Sequence, residues 1–385
     1  MASLPLGTTI PRTGDRLLGE RIPWILLACI CGLLGIGLFA IARGDDLYGG
    51  QFLMKQLVWG TLGGVVALLF AAIDYRVFRK WSGVLFLLSL AGLFLVFAMP
   101  AVNGSRRWIP LGPITLQPSE FTKTTYLLGM ASYLMHQNHY RKFSGLLVPF
   151  LLTLVPVGLI VKEPDLGTSL LFIPTLYAML YAAGARWQHL AGIALMGVMC
   201  IPLLWTQMSA EQKSRVTVLW EQVDGGETPR GDGFHLHQSK KMLVTSGWWG
   251  SALETKSTEN TVHLPAARTD FIFCLIGERF GFPGCAAVVV LFVVMIGQGL
   301  QIASRTYDPF GRLIAVGIVT FWMTQFMINT NMTIGLAPIT GLTLPWLSYG
   351  GSSLLSTCIM LGLLISVAIH PGYELRGEPF RYRQN

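Results

Sequence analysis

The sequence predicts an all-α, polytopic membrane protein with about ten transmembrane helices and a long extracytoplasmic loop between spans seven and eight. Three observations carry this reading. Of 385 residues, 52% are hydrophobic and only 12% are charged, about half the usual charge of a soluble chain. Ten apolar runs approach the roughly 20 residues that a helix needs to cross about 30 Å of hydrocarbon. Lys and Arg collect in alternate connections between those runs. Together these exclude a single soluble domain, and disorder, which needs low hydrophobicity and high charge.

The runs follow in order. Residues 22–42 lack a charge until Arg43 and follow a polar head, 1–21. No cleavable leader pattern is present, so this run is expected to remain as an anchor. Next come 52–73, with Lys55 at its edge, then 82–99, then 118–134, which carries Glu120 and Lys123. Runs 143–161, 166–184 and the short 190–205 complete seven. A polar stretch, 206–269, intervenes. Residues 270–303 are too long for one simple span. Gly281-Phe282-Pro283-Gly284 is expected to divide them into a short helix and a full span. Runs 313–330 and 352–369 follow, with 370–385 as a tail.

Ten spans put both termini on one side. With the N-terminus cytoplasmic, the inside segments hold 14 Lys and Arg residues, Arg12, Arg76, Lys80 and Arg141 among them. The short outside loops hold Arg43, Arg106 and Arg107, with Lys162 at a membrane edge. Positive residues favour the cytoplasmic side, so both tails face inward and 206–269 faces outward. The net charge of +8 has the same source, and no nucleic-acid partner is expected. Trp24, Trp81, Trp187, Trp205 and Trp346 fall near span ends, as interfacial anchors do. The six cysteines sit in apolar stretches without metal-like spacing and read as small membrane-buried side chains.

The chemistry-bearing residues collect on the outer side. Arg106 and Arg107 beside Trp108 suit a phosphate or pyrophosphate headgroup, since the guanidinium fork matches phosphate oxygens; loop arginines touching lipid headgroups give the same pattern. Glu120 and Lys123 are three apart, share a helix face and can pair. They fit either an outward polar cavity or a helix-terminal Glu with a snorkelling Lys. Lys162-Glu163-Pro164-Asp165 is either a cavity wall or a tight turn with Asp165 as helix cap. Asp270, at the start of an apolar helix, is a cap, a general base or a cation ligand. Glu278 and Arg279 follow it and need separate partners, which implies a polar interior. His235 and His237 lack a third metal ligand of persuasive spacing. Gly350-Gly351-Ser352-Ser353 either receives a phosphate on helix amides or forms a simple turn.

Five ordered segments resemble the SEDS family of bacterial cell-wall proteins (RodA and FtsW). They are Arg106-Arg107-Trp108-Ile109-Pro110-Leu111-Gly112, Gln117-Pro118-Ser119-Glu120-Phe121-Thr122-Lys123, Glu163-Pro164-Asp165-Leu166-Gly167-Thr168-Ser169, Arg268-Thr269-Asp270-Phe271-Ile272-Phe273 with Gly277-Glu278, and Pro345-Trp346-Leu347-Ser348-Tyr349-Gly350-Gly351-Ser352-Ser353. Asp74-Tyr75-Arg76 and the Trp-Ile-Pro-Leu-Gly wording are most similar to the RodA branch, which serves cell elongation. The sequence departs from the family pattern at Trp248-Trp249-Gly250, and at Pro265-Ala266-Ala267-Arg268, where an acidic residue is usual.

The resemblance implies a peptidoglycan glycosyltransferase that polymerises lipid II at the outer face of the bacterial cytoplasmic membrane. It implies Asp270 as the catalytic residue, with Trp108, Arg106, Arg107, Glu120, Lys123, Asp165, Ser348 and Ser352 binding substrate. A divalent cation, Mg or Mn, is a possible cofactor with Asp270 as ligand, and no organic cofactor is expected. The implied partners are a class B penicillin-binding protein, the growing undecaprenyl-linked strand, and other elongation-complex proteins. The rival readings are a division-specific polymerase of the FtsW type, a lipid-precursor flippase or transporter, and a non-catalytic scaffold.

Overall fold

The computed structural model describes residues 22–100, 106–112, 114–136, 143–199, 202, 205–206, 208, 210–221, 232–250 and 266–370. Residues 1–21 and 371–385 of the expected tails lie outside these residues, as do Arg12, Arg141, Cys200 and residues 207, 209, 222–231 and 251–265 of the outer loop.

Twelve α-helices are described: α1 (Trp24–Tyr48), α2 (Phe52–Ala72), α3 (Arg76–Val96), α4 (Pro118–His136), α5 (Leu147–Lys162), α6 (Leu166–Ala183), α7 (Trp187–Met199), α8 (Ala210–Glu221), α9 (Asp232–Thr245), α10 (Ile272–Arg305), α11 (Pro309–Ile334) and α12 (Gly351–Ile369). Eight stretches among the described residues are long and apolar enough to cross a membrane. The other two expected spans fall short of that measure. Helix α4 carries buried polar groups in its first turns, and α7 is described over only 13 residues. The chain is a polytopic all-α membrane protein, with one addition that the apolar runs did not announce. Strands β1 (Ile109–Leu111) and β2 (Ile114–Leu116) form an antiparallel hairpin between α3 and α4, pairing Ile109 with Leu116 and Pro110 with Thr115. Gly112 turns it with φ 74°, a conformation that glycine adopts without a Cβ penalty.

Helix ends follow local chemistry. Asp165 caps α6, its carboxylate accepting from the Thr168 N–H, and α6 stops at Gly184 in the left-handed conformation. Asp308 caps α11 ahead of Pro309, and Gly335 closes it. These are the expected start and stop signals. Helix α1 runs on to Tyr48, past the expected end at 42, so Arg43 belongs to a helix rather than a loop. Two helices, α8 and α9, lie within the polar stretch 206–269.

The bundle is organised by burial. Helices α11 and α12 are 67% and 72% buried along their apolar windows, whereas α2 is 17% buried and α3 22%. The first pair therefore forms the centre. The second pair presents Leu68, Leu69, Leu87, Leu88 and Phe94 outward, as lipid-facing helices do. Tyr126, Phe172 and Phe321 lock α4, α6 and α11 together, with ring centroids 5.0 Å and 5.5 Å apart across Phe172. Trp346 is 2% exposed and packs edge-on to Trp322 at 5.6 Å. It is a core residue, not an interfacial anchor, because its loop folds back into the bundle.

Helix α10 breaks at Gly281, with φ 64° and ψ −156°, as the Gly-Phe-Pro-Gly run predicts. The break accommodates a docking contact. The backbone of residues 248–250 lies against the break, and the Phe282 N–H donates to the Trp248 carbonyl at 3.1 Å. A Cβ at Gly281 would come within 2.3 Å of that carbonyl oxygen. On the other side of α10, Glu278 pairs with Arg43 of α1 at 2.9 Å, the separate partner that its sequence position demands.

Candidate active site

Two connections bring the outer ends of the helices together. The β1–β2 hairpin folds over the bundle, and the 341–350 loop folds into it. Ser352 Oγ stitches the two, donating to the Thr115 carbonyl at 3.2 Å and accepting from the Gln117 N–H at 3.3 Å. The result is a cavity of about 840 Å³. Its walls include Arg107, Trp108, Glu120, Asp165, Asp270 and Ser352, so six of the nine sequence-predicted site residues meet there. Asp165 serves both sequence readings at once. It caps α6, and its other carboxylate oxygen accepts from Gln117 Nε2 at 3.1 Å on the cavity wall.

Asp270 is not a helix cap. The cap position of α10 is Phe271, and no side chain bonds there. Residues 266–271 form a tight turn in which the Asp270 and Phe271 N–H groups both reach the Ala266 carbonyl. The buried Asn329 amide donates to the Asp270 carbonyl at 2.8 Å and to the Leu342 carbonyl at 2.6 Å. Arg268 holds the turn from the other side. Its guanidinium donates to the Gly44 and Gly49 carbonyls, meets Asp45 at 3.4 Å and lies 4.6 Å over the Phe52 ring. Its own carbonyl accepts from the Tyr349 N–H at 2.9 Å. The turn is thus held by its backbone and by Arg268, and Asp270 lines the cavity. Burial pushes the Asp270 carboxyl up to about 6; a hydrogen bond from Thr269 and the charges of Arg215 and Arg107 restrain the rise, and Asp165 adds to it.

Three predicted residues stand apart from the cavity walls. Arg106 is exposed and donates to the Phe97 carbonyl at 2.8 Å. Lys123 is buried behind Glu120, with Nζ 2.7 Å from the carboxylate. Ser348 is buried in the inner loop, accepting from the Leu344 N–H at 2.8 Å. Arg107 lines the cavity, but its guanidinium is engaged by the Glu163 carbonyl at 2.8 Å and by the Pro164 carbonyl. Among the described residues no group of three or more His, Cys, Asp or Glu side chains is placed to hold a metal. His235 packs its ring toward Phe271, 6.5 Å away.

Sequence reading passed over several residues of the site. Lys55, Trp59, Thr115 and Thr343 line the cavity. Asn329 lies near the C-terminal end of α11, and its amide was the one available signal. Glu163, which the sequence reading named in the 162–165 turn, is 0% exposed behind Arg107, with no hydrogen-bond partner for either carboxylate oxygen. Burial, with the nearby Asp165 charge, pushes its carboxyl up to about 8, against the restraint of Arg107.

Fold and cavity define a polytopic membrane protein with a polar chamber at one end of its helices. The chain belongs to the FtsW/RodA/SpoVE family, whose model, described as a cell cycle protein, matches residues 21–372. It is 34% identical over 375 residues to the stage V sporulation protein E of Bacillus subtilis, covering 95% of this chain and 100% of that one. It is 32% identical over 357 residues to a probable peptidoglycan glycosyltransferase FtsW of Trichlorobacter lovleyi, covering 89% of this chain and 92% of that protein. Among solved structures it resembles a chain of a peptidoglycan synthase complex that coordinates polymerization and crosslinking. That match has a TM-score of 0.77 and 26% identity, over 92% of this chain and 99% of the other. It also resembles the rod shape determining protein RodA of Thermus thermophilus, with a TM-score of 0.67 and 26% identity, over 90% and 96%.

Proposed function

We propose that Asp270 is the general base of this peptidoglycan glycosyltransferase, acting on lipid II at the outer face of the cytoplasmic membrane. The observation that carries the reading is the placement of Asp270. It is a carboxyl raised toward neutrality, held by Thr269 and by no ion pair within contact distance among the described residues, in a chamber walled by Trp108, Asp165 and a lipid-facing helix. A sugar 4-hydroxyl of lipid II attacks the anomeric carbon of the growing strand. The new O4–C1 bond forms as the bond from C1 to the diphosphate oxygen breaks, and Asp270 takes the hydroxyl proton. The electron pair leaves with undecaprenyl diphosphate, and the anomeric centre inverts. Arg107 lends positive potential to the chamber, and Trp108 offers a face for a sugar ring.

The divalent cation, Mg or Mn, is part of the same proposal. One open carboxylate suits the mode in which Mg²⁺ keeps waters and takes one or two carboxylates plus substrate phosphates. Asp270 would hold it, and it would offset diphosphate charge. Turnover after chelation and stepwise return of each metal tests this.

All the polar groups sit at helix ends or in loops, which supports surface chemistry over transport, where sites lie near the midplane. The proposed orientation puts this end outward and both tails in the cytoplasm; labelling of single cysteines in intact cells checks it. A class B penicillin-binding protein is the proposed partner, with other elongation proteins around it, supported by the likeness to the synthase complex. Elongation is the finer proposal, resting on Asp74-Tyr75-Arg76 and the Trp108–Gly112 wording, while the curated relatives quoted above carry division and sporulation names. Rescue of cells depleted of either the elongation or the division polymerase decides between the two.

The decisive assay uses purified protein with its transpeptidase partner and lipid II. Glycan strands should form with the wild type and fall about 10²–10⁴-fold with Asp270→Asn, the protein remaining folded. Strand formation by Asp270→Asn at the wild-type rate overturns the assignment.

A further inference from the structure

The cations near the chamber are not equally available. The Arg107 fork rests on two backbone carbonyls, Lys123 is paired with Glu120 in the interior, and Arg106 turns away to Phe97. Lys55 differs. It lines the chamber, it is exposed, and among the described residues its ammonium makes no ion pair or hydrogen bond. Its described contact is with the ring of Phe52, 5.7 Å from Nζ, a weak neighbour that leaves the charge free.

The position of Lys55 on α2 is equally specific. Met54, Lys55, Val58, Trp59 and Leu62 all line the chamber, and this spacing is one face of a helix. The face is charged at its outer end and apolar below, with Leu62 about 10 Å deeper than Lys55 at 1.5 Å per residue. Met54, Val58 and Leu62 are also among the exposed large apolar side chains, so this wall continues onto the lipid-facing surface of α2. A cation above an apolar strip that runs from a polar chamber into the bilayer matches one class of molecule, an anionic headgroup on a long hydrocarbon chain. Glu120, Asp165 and Asp270 also line the chamber and repel an anion, which leaves the free ammonium of Lys55 as the favourable contact for one.

We infer that Lys55 binds the diphosphate of a polyprenyl-diphosphate-linked sugar, with the chain lying along Met54, Val58 and Leu62. This rests on the reading of the chamber as a lipid-linked glycosyl transfer site and names a cation for its leaving group. In the transfer, the diphosphate oxygen that parts from the anomeric carbon gains negative charge, and Lys55 meets that charge while Asp270 holds the proton.

The test is binding without turnover. Full-length protein in lipid nanodiscs is titrated with undecaprenyl diphosphate, which carries no sugar to transfer, and followed by native mass spectrometry. Undecaprenol, which lacks the charge, and inorganic pyrophosphate, which lacks the chain, are run alongside. Lys55→Gln is expected to weaken undecaprenyl diphosphate by about tenfold or more and leave undecaprenol unchanged, while Lys55→Arg stays within about threefold. Unchanged diphosphate binding by Lys55→Gln overturns the inference, and so does an equal loss for undecaprenol. Pyrophosphate binding as tightly as the lipid, and with the same dependence on Lys55, shows a site for free phosphates and also overturns it. Because no sugar is transferred, this result is independent of whether Asp270 proves to be the base.

Discussion

Arg268 meets Asp45 at 3.4 Å, and this contact joins the turn that carries Asp270 to the connection between α1 and α2. The pair is largely buried, and the same guanidinium spans the Gly44 and Gly49 carbonyls and the Phe52 ring. A guanidinium holds its donors in a fixed planar fork and stacks on a ring face, a geometry that the compact ammonium of lysine reproduces only in part. Arg268 is therefore a positioning residue for Asp270. Arg268→Gln should lower polymerisation kcat by about 10²-fold, the scale expected when a reacting group is displaced by about 1 Å, with KM little changed. Arg268→Lys should recover part of the loss. Combining Arg268→Gln with Asp270→Asn should cost no more than Asp270→Asn alone, and additive losses in that cycle would show that Arg268 acts elsewhere.

The raised Asp270 carboxyl sets a pH dependence. A general base works ionised, so the active form exists above its pKa, about 6. Polymerisation at saturating lipid II should rise with pH through about 6 and flatten above about 7. A rate that falls across this range would assign Asp270 the role of an acid.

Glu163 couples stability to pH in the opposite sense from an ion-paired carboxylate. Its folded-state pKa is raised, to about 8, above the ordinary value of 4.5. The contribution of the neutral carboxyl is thus fully present below about 4.5 and is lost as pH rises to about 8. Glu163→Gln keeps the shape without the charge. It should raise the melting temperature at pH 8 by a few degrees, change it little at pH 4.5, and flatten the dependence between. Equal shifts at both pH values would point to packing.

The Gly250 and Gly281 contact predicts a stability effect far from the chemistry. Both residues have positive φ, and a Cβ on Gly281 would meet the Trp248 oxygen at 2.3 Å. Gly281→Ala should cost about 1–3 kcal/mol through strain at a φ/ψ pair open essentially to glycine alone, and through displacement of the 248–250 segment. Gly297, where a Cβ meets nothing within 4 Å, is the control, and its alanine variant should melt at or above the wild-type temperature.

Much of the architecture was legible in composition and periodicity. A chain with so few charges and so many apolar runs has one solvent that suits it, and in that solvent the backbone must close its hydrogen bonds within helices. The break in α10 was legible because Gly and Pro act through their own backbone chemistry. The resemblance carried Asp270, since spacing alone left it among a cap, a base and a ligand. Trp346 shows the limit: its place near a span end suggested an anchor, but the loop that carries it folds inward.

Local pattern and ordered motifs were enough to read the membrane-spanning helices, the polar residues at their outer ends and the family. Which of those polar residues face one chamber depends on how distant helices and loops pack. Arg106, Lys123 and Ser348 are as prominent in the sequence as Arg107, Glu120 and Ser352, yet they turn to a carbonyl, an ion pair and a loop turn. Lys55 and Asn329, which no motif marks, enter the site. The reason is physical: a buried or tethered charge is already satisfied, and what satisfies it is brought from distant parts of the chain by helix packing.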